Sequence, residues 1–226
     1  MSLTTGRGPL GPDPAGHFDA PVPAGLVYVE PFPRRVRAVK AGRRVVETDS
    51  AWLVHRTGSP PTFAFPASDV QIDASEPEPA VPGHVRLPWD AADEWYEELE
   101  RMLGHPRNPY HRVDCLRTDR RLVVRVASEV LVDTTETIGV YETSLAPRLY
   151  VSPDQVRRDL LTPSETTTFC PYKGTATHWT AVVGATSVPD VAWSYEEPLP
   201  ECEPLRGLLS FYRERAEVVE DFPPGR

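Results

Sequence analysis

One stretch of this chain is written twice, and that repetition limits the folds open to it. RRVRAVKAGRRVVETDSAWLVHRTGSPPTFAFPASDV at residues 34–70 returns as RRLVVRVASEVLVDTTETIGVYETSLAPRLYVSPDQV at 120–156, with no gap and a shift of 86 residues. Arg34 and Arg35 fall on Arg120 and Arg121, and Val46, Glu47 and Thr48 on Val132, Asp133 and Thr134. Val54 falls on Val140, Pro61 on Pro147 and Val70 on Val156, and the apolar positions between them track as well. Two units are too few for a solenoid, which generally needs three or more. Each copy therefore has to close a small core of its own.

What each copy folds into follows from its residue types. Val36, Val39, Val45, Val46, Trp52, Val54, Phe63 and Phe65 are β-branched or aromatic, and Gly42, residues 48–50 and Gly58–Pro61 punctuate them. This is the pattern of short antiparallel strands joined by turns. The 26 prolines, roughly double the usual share, break helices and interior strands. A mainly β (α+β) chain with short helices is expected. One helix is expected over 90–103, where Trp95, Leu99, Met102 and Leu103 share a helical face. A second is expected from the Ser152-Pro153-Asp154-Gln155 capping box to about Leu161. The boundaries are a Gly/Pro-rich tail over 1–25, disordered or wrapped, a first copy over 26–115 and a second over 116–226.

Charge and cysteine content narrow the function classes. A net charge of -9 with no block of Lys or Arg argues against nucleic-acid binding. Three scattered cysteines, Cys115, Cys170 and Cys202, form no CxxC pair, so neither a disulfide scaffold nor a structural zinc site is expected. No apolar run reaches membrane-span length, and the N-terminal residues lack the apolar stretch of a secretory signal. A cytoplasmic protein with no membrane association is the expectation.

The second copy continues into text that the first lacks: TTTFCPYKGTATHW at 166–179, AWSYEEP at 192–198 and GLLSFYRERAEVV at 207–219. With VLVDTTE and VYETSLAPRLYVSPDQVRRDLL before them, these pieces resemble the family catalogued as domain of unknown function 427, at times labelled nucleotidyltransferase-like. The resemblance covers about residues 120–219. The first copy follows it through Val70 and then departs, with Trp95-Tyr96-Glu97-Glu98 looking like a worn form of Trp193-Ser194-Tyr195-Glu196-Glu197. HPRNPYHRVD at 105–114 looks like the joint of tandem members. The resemblance implies two diverged copies of a β-tent-like domain, similar to the Mss4-like fold group. The paired CxxC zinc knuckles of that group are missing here, so no metal site carries over. Neither GxxxxGK[ST] nor GxGxxG is present, and no paired carboxylates stand ready to hold magnesium, so the residues lend the nucleotidyltransferase label little.

The candidate ligand-binding residues all lie in the second copy. Lys173, in the CPYKG turn, can clamp an anion or, with a lowered pKa, act as a base. Glu142, Arg148 and Tyr150 flank the Ser144–Pro147 turn, and an Arg–Glu pair there can orient a carboxylate or phosphate. Tyr172, Cys170 and His178 neighbour the lysine, and Trp193 and Tyr195 supply walls. In the first copy the equivalents of Glu142, Arg148 and Tyr150 are Arg56, Thr62 and Ala64, so the constellation is lost there. At the joint, His111, Arg112 and Asp114 are candidate interdomain residues. The leading expectation is a module that binds a small polar or anionic ligand. The alternatives are an enzyme using Lys173, His178 or Cys170, and an interaction protein with no ligand. These residues do not identify a cofactor.

Overall fold

The computed structural model describes residues 4–222 and divides into two compact units, residues 1–111 and 112–226. In the first unit the strands are β1 (Val27–Pro31), β2 (Val36–Lys40), β3 (Arg43–Thr48), β4 (Trp52–Arg56), β5 (Thr62–Pro66), β6 (Glu76–Pro77), β7 (His84–Arg86), β8 (Glu94–Glu97) and β9 (Glu100–Met102). They form a five-stranded sheet in the order β1-β4-β5-β7-β6 and a four-stranded sheet in the order β3-β2-β8-β9. Val36, Ala38 and Trp95 from one sheet pack with Leu53, Phe63 and Phe65 from the other to make the core. Before β1 the chain runs in turns and bends. Thr4 and Thr5 are buried there, and the Gly58 amide donates to the Thr4 carbonyl at 2.6 Å. The first three residues of the expected tail lie outside the described residues.

The second unit contains β10 (Val113–Thr118), β11 (Leu122–Val126), β12 (Glu129–Thr134), β13 (Thr137–Glu142), β14 (Arg148–Val151), β15 (Leu161–Cys170), β16 (Gly174–Val183), β17 (Thr186–Ser194), β18 (Leu209–Phe211) and β19 (Glu217–Glu220). Seven of them form a sheet in the order β10-β13-β14-β18-β17-β16-β15, and β12-β11-β19 form a three-stranded sheet. Leu122, Val124 and Leu131 meet Leu149, Val151, Val191 and Phe211 in the main core.

The 86-residue shift holds in the hydrogen-bond register as well as in the letters. Val27 pairs with Arg56, and Val113 with Glu142. Val36 pairs with Thr48, and Leu122 with Thr134. Val54 pairs with Thr62, and Val140 with Arg148. Even the β-bulge recurs, at Ala38/Val39 and at Val124/Arg125. The first five strands of each unit are thus one structure built twice, and the units are mainly β, with only short 3-10 turns.

Two expectations about helices are overturned. Residues 90–103 form a 3-10 turn at Trp89–Ala91 and then the β8–β9 hairpin. Trp95 and Met102 do face the core, but as cross-strand partners, while Leu99 sits 76% exposed at the hairpin tip. The same apolar spacing serves either periodicity over so short a run, and the open edge of β2 takes β8 as its partner. After Ser152, whose hydroxyl accepts from the Asp154 amide, only two 3-10 turns form, Pro153–Gln155 and Arg158–Leu160. The Arg157 amide is drawn instead to the Leu131 carbonyl at 2.9 Å, and Leu161 opens β15.

The register also corrects the likeness drawn between Trp95–Glu98 and Trp193–Glu197. Ala38 pairs with Trp95, and its equivalent Val124 pairs with Val218, so β8 holds the place of β19. The true counterparts of β17 and β18 are the short β6 and β7. Phe65 pairs with Val85 as Val151 pairs with Leu209, and Pro77 with Val85 as Ser194 with Leu209. What the first copy lacks is the β15–β16 hairpin and most of β17.

The β2–β3 turn tests how far the sequence suits its backbone. Ala41 and Gly42 both have positive φ, 48° and 73°, and only glycine adopts this at no steric cost. Two-residue turns of this hand favour Asn-Gly. Ala41→Asn is expected to raise stability by roughly 0.5–1 kcal/mol, relieving part of the left-handed cost of ~1–2 kcal/mol. Urea denaturation of the two proteins measures it.

Candidate functional site

The seven-stranded sheet has two faces, and only one meets the three-stranded sheet. Along β14, Leu149 and Val151 enter the main core, so Arg148 and Tyr150 must point the other way. On β13 the residues sharing that second face are Val140 and Glu142, with Val140 directly across from Arg148. A second apolar cluster gathers there, with Val140, Tyr150, Ala176, Trp193, Tyr195, Cys202 and Leu205 at its heart. Within this face lies a cavity of about 410 Å³.

Lys173 reaches the cavity from the tip of the β15–β16 hairpin. Cys170 pairs with Gly174, leaving Pro171, Tyr172 and Lys173 as the loop. Gly174 has φ of 103°, and a Cβ there would stand 3.3 Å from the Glu197 carbonyl oxygen, so the loop closes only on glycine. The Lys173 carbonyl accepts from the Leu199 amide at 3.0 Å, which pins the tip. Its side chain is buried, and its ammonium donates to the Glu142 carboxylate. Burial disfavours the charged lysine, but Glu142 and the neighbouring thiols outweigh it, so the pKa is held above the ordinary lysine value. The pair thus favours Lys173 as an ammonium, the form that holds an anion.

The remaining groups on the cavity are donors. Arg148 spends one N–H on the Phe211 carbonyl at 3.4 Å, and its guanidinium lies 5.8 Å from the Trp193 ring centre. It has no carboxylate within ion-pair distance among the described residues. Tyr150 accepts from the Trp193 indole N–H at 2.9 Å, which leaves its own hydroxyl proton to give. Tyr195 makes no side-chain hydrogen bond among the described residues. Burial raises the pKa of both phenols, so both stay protonated. With Lys173 and Arg148 against Glu142, the lining carries one excess positive charge.

The structure brings Lys173, Arg148, Tyr150, Glu142, Trp193 and Tyr195 together on the cavity, whereas Cys170, Tyr172 and His178 are not on its lining. Cys170 packs behind it on the apolar cluster. His178 is buried one layer back, its Nε2 3.1 Å from the Thr168 hydroxyl and its ring stacked on Tyr212 at 11°. Thr168 and Tyr212 line the cavity and were missed. Thr168 lay unremarked within a run of threonines, and Tyr212 within the GLLSFYRERAEVV piece, where no local signal set it apart. At the joint, Arg112 and Asp114 pair with each other at 2.7 Å within the second unit, and the His111 amide donates to the Asn108 carbonyl within the first.

In the first copy the corresponding face is filled by Val54, Ala64 and Val81. Arg56, the equivalent of Glu142, pairs at 2.5 Å with the fully buried Glu78. Glu78 follows Pro77 as Tyr195 follows Ser194, so the partner of Arg56 comes from a different position than Lys173, the partner of Glu142.

Breaking such a pair from one side strands a buried charge. Glu142→Ala is expected to destabilise the second unit by about 3–5 kcal/mol, and Glu142→Leu with Lys173→Met by far less. Chemical denaturation of both variants checks it. A second expectation concerns His178, whose pKa burial pushes below the ordinary histidine value. Its folded pKa lies below its unfolded one, so stability is complete above about pH 6.5 and falls as pH drops below that. His178→Gln should flatten this part of the stability–pH curve, and Tm measured from pH 7 down to 5 reads it.

No curated protein matches the chain. One family does, over residues 28–95 and again over 114–221. The first segment runs from β1 into β8, the second from β10 to just past β19, so the two matches fall one on each unit and together span well over half the sequence. The chain belongs to the family described as Domain of unknown function (DUF427).

Proposed function

We propose that the second unit binds a small anionic ligand in the cavity between β13, β14 and the Lys173 hairpin tip. The observation that carries this reading is Arg148. It is a guanidinium on a cavity wall with no carboxylate partner among the described residues, beside a lysine and two phenols that still hold protons to donate. Carboxylates and phosphates are the groups that a guanidinium and an ammonium recognise together. Trp193, Tyr195 and Tyr212 supply the apolar wall that small-molecule sites share. The first copy, with Thr62 and Ala64 in place of Arg148 and Tyr150, serves as scaffold. The net charge of -9 repels an extended polyanion, so the ligand is small rather than a nucleic acid.

A second reading, an enzyme, rests on the 3.1 Å contact between Thr168 on the cavity wall and a neutral His178 behind it. Its weakness is that His178 Nδ1 has no hydrogen-bond partner among the described residues, so none of them orients the ring through that nitrogen.

The test is a thermal-shift panel of sugar phosphates, mononucleotides and small di- and tricarboxylates. A ligand at ~100 times its Kd adds about 2.7 kcal/mol, which for a chain of this size is a shift of roughly 5–11 °C. The shift is expected to vanish in Arg148→Gln, a variant that leaves the Lys173–Glu142 pair intact. No shift from any member of the panel, or a shift that Arg148→Gln retains, overturns the reading.

A further inference from the structure

The three cysteines, dispersed in sequence, converge in space on one side of the second unit. Cys202 lies at the heart of the apolar cluster behind the cavity, and Cys115 and Cys170 pack against it. Cys202 stands in the 3-10 turn Pro200–Leu205, whose backbone lies within 8 Å of β10, the strand that carries Cys115. Register fixes the direction of Cys115. It is opposite Val140 on β13, on the same face as the cluster. Cys115 and Cys202 thus meet on one face of the sheet, and all three cysteines are free. Nothing in the binding reading uses this pair. Among the described residues no group of His, Cys, Asp and Glu side chains is arranged to hold a metal.

We infer that Cys115 and Cys202 are an oxidisable dithiol that closes to an intramolecular disulfide by exchange with a low-molecular-weight disulfide. The two partners are unequal in the way this chemistry needs. Cys115 is partly exposed on the edge strand β10, where a small disulfide can reach it, and Cys202 is fully buried behind it. Contact with Cys202 favours the Cys115 thiolate, and the nearby Lys173 ammonium adds to that, so Cys115 titrates below an ordinary thiol. The same contact and burial push Cys202 up, which keeps it a thiol until its partner has reacted.

The electron count closes with the disulfide as oxidant. The Cys115 thiolate attacks one sulfur of RSSR, a protein S–SR bond forms, and RS⁻ leaves to take a proton. Cys202 then loses its proton and attacks the Cys115 sulfur, displacing the second RS⁻. Two protein thiols are oxidised and one RSSR is reduced to two RSH. Closing the bond also consumes the S–H that Cys202 directs at the Tyr172 carbonyl, 3.5 Å away, next to Lys173. Oxidation therefore alters the support of the hairpin tip.

The experiment treats the full-length protein with oxidised glutathione and reads intact mass and non-reduced peptide maps. The expected product has lost two hydrogens, carries no glutathione, and maps as a Cys115–Cys202 bridge that dithiothreitol reverses. Cys202→Ser is expected to stop at one glutathione on Cys115, because the resolving thiol is gone. Since the connectivity is read on the unaltered protein, the result does not depend on a variant folding. A bridge to Cys170, a glutathione adduct that never resolves, or no change in mass would each overturn the inference.

Discussion

A strand that buries both of its faces must answer to two environments at once, and β14 is where this constraint shapes the molecule. Leu149 and Val151 are fully buried in the main core and fix the register against β13. Once they do, Arg148 and Tyr150 have no choice of side. One-residue slippage would send the arginine into the core and the leucine to the cavity, exchanging every environment along the strand. The candidate site is thus held in place by apolar burial on the opposite face of the same strand, not by contacts within the cavity.

The same five strands stand in both units, so they do not by themselves make a site. The difference is the meander that follows. In the second unit β15, β16 and a nine-residue β17 extend the sheet past β18, and their hairpin tip delivers Lys173. In the first unit a two-residue β6 ends the sheet at that point. A longer sheet has more second face to cover, and the 3-10 turn at Pro200–Leu205 covers part of it through Cys202 and Leu205. The uncovered remainder is the cavity. The site is a consequence of adding strands to a shared scaffold and leaving one patch of the new face open.

How much of this could be read in the sequence depends on whether the signal was local. The repeat was legible because equal letters at a constant shift need no knowledge of the fold, and its register proved as constant as its letters. Six of the nine expected binding residues share the cavity, since alternation along β13, β14 and β17 already sorts them by face. The failures are all cases where a distant partner decides. Trp95, Leu99 and Met102 fit a helix equally well, and the unpaired edge of β2 tipped them to a hairpin. The capping box after Ser152 is intact locally, yet β12 takes the next free amide. The pairing of β8 with β2 that displaced the Trp95 likeness is likewise invisible in any short window. The convergence of Cys115 with Cys202 is the extreme instance, because no spacing rule links a sheet-edge strand to a turn so far along the chain.

The buried ion pair offers a last argument about which copy can bind. In both units the end of the second central strand, Arg56 or Glu142, holds a buried partner of opposite sign. Such a pair gains little over apolar packing once desolvation is counted, so its presence in both copies calls for a reason beyond stability. In the first unit the buried member is the carboxylate, Glu78, sealed at 0% exposure with Thr62 and Ala64 beside it. The cation there, Arg56, is taken up by Glu78. In the second the polarity is reversed, the ammonium faces a cavity, and Arg148 stands beside it without a carboxylate. The Lys173–Glu142 pair is neutral as a whole, so Arg148 is the charge on the lining that no carboxylate among the described residues answers. An anion is the simplest thing that answers it.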